Sequence, residues 1–174
     1  QNAAQAQALE GQKQLLQNLA TGNAARREEA KQLQQVLTLE KQIASQRRAL
    51  ASTQLAGRRQ AAEIAAGPRG LTQAQQNAFR VEENQLRVSA LNDELRLLER
   101  EHDLKIQNLI LEKDIRNMEL EFLKKRIQAS TTISEADKAS MVGNIQTIQD
   151  RSQAAFESNV KLMGVSVNLQ KQNI

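Results

Sequence analysis

Cysteine, tryptophan and tyrosine are absent from this chain of 174 residues, and three phenylalanines are its only aromatic side chains. Without cysteine there is neither a disulfide framework nor thiol redox chemistry. Without large rings the chain lacks the side chains that dominate most globular cores. One proline, Pro68, and seven glycines leave few places for the backbone to turn. No stretch combines the Val, Ile, Thr and aromatic content that a sheet needs. No apolar run is long enough to span a bilayer or to serve as a secretory h-region. The formal net charge is only +4, from 24 Lys and Arg against 20 Asp and Glu, with the signs interleaved. A specific nucleic-acid site would need a dense basic stripe or stacking platforms, and neither is present. Arg26-Arg27, Arg47-Arg48, Arg58-Arg59 and Lys124-Lys125-Arg126 read as solvated helix faces.

What remains is rich in Gln, Ala, Leu, Glu, Lys and Arg, all strong helix formers. That bias with helical periodicity predicts an all-α chain of long helices, forming an elongated coiled coil or helical bundle and oligomeric. Residues 1–66 read as a Gln/Ala-rich helical segment. From Leu33 a seven-residue pattern places Val36, Ile43 and Leu50 at one seam position. Leu33, Glu40, Arg47 and Gln54 fill the other. Half of that seam is polar, so the helix needs partners.

The break at 67–71 is built from Gly67, which can take the left-handed conformation that ends a helix, Pro68, which cannot continue one, and Gly70. Thr72 and Gln75 then have the spacing of a capping box. The chain either reverses here into a hairpin or bends as a kinked rod. A coiled-coil helix is predicted over 72–128. Val88, Leu91, Leu95 and Leu98 lie three and four apart, and His102 takes the next seam position. A second seam runs through Leu104, Asn108, Leu111, Ile115, Met118 and Phe122. An apolar surface that wide suggests at least two neighbours, as in a trimer or a bundle. Leu98, Leu109 and Leu120 also repeat every eleven residues, a period that relaxes a left-handed supercoil. A second break is placed at 129–134 and a C-terminal helix at 135–163, with Ser134 and Asp137 marking its start. Gly164 is expected to end it. Residues 164–174, where Val165, Val167 and Leu169 alternate with polar residues, read as an extended tail.

Chemistry is harder to find. His102 is the only histidine, so a metal site would need ligands from other chains, and no Ser or Thr has a partner for a triad. His102 and Asn108 read instead as polar seam residues that set register. We expect no catalytic residue, no metal and no cofactor, and therefore no enzyme. The residues expected to matter pack an oligomer or its core: Val88, Leu91, Leu95, Leu98, Leu104, Leu111, Ile115, Met118 and Phe122.

Three tracts, AAQAQALEGQKQLLQNLA, LEKQIASQRRALASTQLAGRRQAAE and LNDELRLLEREHDLKIQNLILEKDI, resemble the Gln/Ala/Lys-rich coiled coils of bacteriophage tail tape measure proteins. The resemblance implies a helical structural virion protein in the tail tube and tip, assembled in the bacterial cytoplasm. Such a protein sets tail length and is released before DNA ejection. Its partners would be its own copies, with a trimer favoured, and the tail-tube and tail-tip proteins, with membrane contact on ejection. It also suits an ordered window of a longer polypeptide, and a first residue other than Met suits such a window or a processed product. Two alternatives stand beside it: a membrane-active, pore-forming helical protein, and a coiled-coil adaptor or secretion-apparatus component.

Overall fold

In the computed structural model, which describes residues 2–174, the chain is three α-helices, with no strand among the described residues. α1 spans Asn2–Ala66, α2 Gln73–Ala129 and α3 Glu135–Gln172. The all-α class follows directly from composition. Helices of 65, 57 and 38 residues exceed those of ordinary domains several-fold. Their persistence reflects the scarcity of Pro and the abundance of unbranched side chains.

The one proline sits where α1 stops. Gly67 takes φ +66°, Pro68 follows in a short 3-10 turn over Gly67–Arg69, and Gly70 takes φ +70°. The Gly70 amide donates to the Gly67 carbonyl at 3.1 Å, which closes the turn. α2 then starts on a reciprocal cap. The Gln75 amide donates to Thr72 Oγ1 at 3.2 Å, and the Thr72 amide donates to Gln75 Oε1 at 3.0 Å. Between α2 and α3, the Asp137 amide donates to Ser134 Oγ at 3.2 Å. Glu135 and Asp137 lie in the first turn of α3, where the helix dipole favours negative charge.

Gly164 does not end α3, and residues 165–172 are not an extended tail: the helix continues to Gln172. The alternation of Val165, Val167 and Leu169 also fits a helix that packs one side, since Val167 is half-buried while the other two are exposed. Tertiary context has overridden a weak local preference for strand. A Cβ at Gly164 would meet nothing within 4 Å, and its backbone is helical. Gly164→Ala should therefore stabilise the chain, by about 1 kcal/mol in thermal or urea unfolding. A loss of stability would mean that residue 164 is a helix end after all.

The chain divides into two compact units. One combines residues 1–34 with 103–165, and the other combines 35–102 with 166–174. In the first, the α1 and α2 stretches run antiparallel: Arg27 meets Glu112, whereas Gln12, earlier in α1, lies beside Arg126 and Ala129, later in α2. The α2 and α3 stretches are antiparallel too, with Lys124 on Gln146 and Lys113 on Phe156. Leu104, Ile115, Ile127 and Ile145 form its buried apolar core. In the second unit α1 and α2 form an antiparallel hairpin. Arg58, near the break, pairs with Glu82, and Lys41, further from it, pairs with Glu101. Of the two routes open at Gly67–Gly70, this unit takes the reversal. Its buried apolar residues are Leu37, Ala44, Leu55 and Leu97.

Candidate functional site

The helices position side chains in two kinds of place, the packed seams within each unit and the faces left open. In the first unit the α2–α3 seam carries a small polar network. Lys124 Nζ donates to Gln146 Oε1 at 2.8 Å and to Glu121 Oε1 at 3.1 Å, and Gln149 Nε2 donates to the same Glu121 oxygen at 2.9 Å. The Glu121 carboxyl is held below the ordinary carboxylate range, by the Gln149 hydrogen bond first and Lys124 next. Lys113 Nζ lies 4.4 Å from the centroid of the Phe156 ring, a cation–π contact that spans the same seam. On the α1 side, Arg27 grips both oxygens of Glu112, at 3.1 and 3.2 Å, and this raises its pKa further. An open groove of ≈ 640 Å³ lies between Leu15 and Leu19 of α1 and Met118 and Phe122 of α2.

In the second unit the hairpin is laced by ion pairs: Lys41–Glu101 at 2.7 Å, Arg58–Glu82 at 2.9 Å and Arg100–Glu40 at 3.2 Å. The end of α3 is tied to α2 by Lys171–Glu99 at 2.7 Å. Past that contact, toward the start of α2, Val88 and Leu91 are exposed. The two residues expected to pack there are thus open within the chain, because α3 ends at Gln172 while the apolar pattern of α2 goes on.

The other expected packing residues lie further in. Leu104 and Ile115 are buried, and Leu95, Leu98, Leu111, Met118 and Phe122 are half-buried. His102 and Asn108 are half-buried as well. His102 Nδ1 is enclosed without a hydrogen-bond partner. Among the described residues no group of three or more His, Cys, Asp or Glu is placed to hold a metal ion, and no helix is long and apolar enough to cross a membrane.

Within the hairpin α1 buries Leu37 and Ala44, one residue on from the Val36, Ile43 and Leu50 that the sequence places on a seam needing partners, and those three are exposed within the chain. Alanine hid this inner seam, since Ala44 and Ala51 carry little hydropathy beside their larger neighbours. Ala44 is buried and Ala51 half-buried, and Ala51 lines an open groove with Leu55 of α1 and Phe79, Leu86 and Ala90 of α2. Asn23, buried in the first unit, was also missed, for it stands in a stretch with no apolar periodicity of its own.

No protein-family model matches the chain, and no curated protein or solved structure is significantly similar to it.

Proposed function

We propose that this chain is a structural element of a multi-copy helical assembly, of the kind its resemblance to phage tail tape measure proteins implies. In that reading it lies in the tail tube and tip, associates with its own copies and with tail proteins, and is released ahead of the DNA. Three copies is the number that the resemblance implies. One observation carries the assembly reading. Each helix bears large apolar residues in the open beside the seam it uses within the chain: Ile43 and Leu50 on α1, Val81 and Val88 on α2, Met141, Ile148 and Leu162 on α3. Scattered singly such residues would call for no partner, but Val36, Leu39, Ile43 and Leu50 range along one side of α1, and an apolar stripe of that kind marks an interaction site.

The phage role is tested on virions from the source that encodes the chain. Mass spectrometry of purified particles should find it in tails, protected from added protease. It should become accessible to protease once DNA has been ejected. Its absence from purified virions would overturn the tail role.

A further inference from the structure

The outer face of α1 in the second unit has an order that the hairpin does not use. Val36, Leu39, Ile43, Gln46, Leu50, Thr53, Gly57, Gln60 and Ile64 follow one another at alternating steps of three and four residues, and all nine are exposed. This is the spacing of a coiled-coil seam held over four heptads. It coexists with the intramolecular seam through Leu37, Ala44, Ala51 and Leu55 on the same helix. The allocation is inverted from what a lone hairpin would choose. Two of those four inward residues are alanine, while Ile64 on the outer seam is left 75% exposed.

We infer that this outer seam is a self-association face, on which α1 of a second copy of the chain packs in parallel and in register. The inference deepens the assembly reading above and rests on it. Three features select that occupant. None of the nine residues is charged, so an acidic or basic partner would find no complement and two copies meet no like-charge repulsion. Four large apolar side chains, Val36, Leu39, Ile43 and Leu50, stand exposed within two heptads, with Ile64 two heptads further on, and a seam of this length in two copies can supply an interface toward the roughly 800 Å² per partner of the standard size. Last, one heptad position is Val, Ile, Leu, Gly, Ile and the other Leu, Gln, Thr, Gln. Parallel in-register pairing puts each position opposite itself, so that Ile43 and Leu50 meet their own kind and Gln46, Thr53 and Gln60 can hydrogen-bond with theirs. Antiparallel pairing would set the two positions against each other and bury apolar residues on amides.

The test uses the whole chain. Its lack of cysteine makes any introduced thiol unique. Light scattering should give the unaltered chain a mass of two or more copies. Ile43→Glu with Leu50→Glu should reduce it to a single copy with helicity by circular dichroism retained, since both side chains are exposed in the monomer. Ser45→Glu, on another exposed side of α1, should leave the mass unchanged. On mild oxidation Leu50→Cys and Ile64→Cys should each give a disulfide-linked dimer on a denaturing gel, and Ser45→Cys should not. An oligomer that survives the double Glu change would overturn this face while leaving the assembly reading intact. A single-copy mass for the unaltered chain would overturn self-association itself. Flotation with anionic vesicles, lost on the double Glu change while the protein stays monomeric, would instead assign the seam to a lipid surface and overturn the second copy.

Discussion

Replacing Ile115 by alanine should lower the unfolding free energy by about 2–5 kcal/mol, the range for truncating a large aliphatic side chain in a closed core. Ile115 is 1% exposed and lies in mid-α2, within the unit where stretches of α1, α2 and α3 all contribute. The surroundings relax only in part after such a truncation, so part of the cavity persists. Urea unfolding followed by circular dichroism at 222 nm measures the change. Val88→Ala is the internal comparison. Val88 is 55% exposed, so its truncation should cost a few tenths of a kcal/mol in the isolated chain. Equal effects at the two positions would mean that α2 is not enclosed at Ile115.

The second large effect belongs to the backbone. Gly70 combines φ +70° with ψ −172°, a region open in practice only to glycine. A Cβ there would meet no atom within 4 Å, so the penalty is torsional and not a collision. Gly70→Ala should cost about 1–3 kcal/mol. Gly143→Ala, in the interior of α3 and equally free of neighbours, should gain about 1 kcal/mol. Differential scanning calorimetry of the two variants should shift Tm in opposite directions. Shifts of the same sign would mean that the reversal at Gly67–Gly70 adopts another conformation in solution.

Much of the helical content was legible because it rests on local chemistry. The Gly67-Pro68 pair and the Thr72/Gln75 cap act within one turn of the backbone, and a single sequence displays them. What escaped depends on partners distant in sequence. Whether the chain reverses at the break is decided by pairs such as Arg58–Glu82 and Lys41–Glu101, and many charged residues could have served as either partner. The inner seam of α1 escaped because periodicity weighs size, and Ala44 and Ala51 are small beside Ile43 and Leu50, which the sequence assigns to a seam with partners. The continuation of α3 through Gly164 was misread for a related reason. Lys171 is held by Glu99 of α2, and no rule of local propensity includes that contact. Leu104 and Ile115, by contrast, stand in an unbroken alternation of three and four, where pattern and packing coincide.

The ion pairs of the hairpin act less as a source of stability than as a vernier. Exposed pairs contribute only about 0–1 kcal/mol each. A heptad stripe, however, matches itself after every slip of seven residues, so apolar contact alone would tolerate several alignments of α1 on α2. Most of the charges do not repeat with it: Lys41 would find Glu94 in place of Glu101 in one direction, but the other pairs are lost. Sliding α2 by one heptad would set Arg58 opposite Gln75 or Ser89 in place of Glu82. In one direction it would also bring Glu40 against Asp93 in place of Arg100. A single alignment keeps every pair. A long, low-complexity helix can thus be read to a unique position by its neighbour, as a ruler with unevenly numbered divisions can be matched to only one copy of its scale.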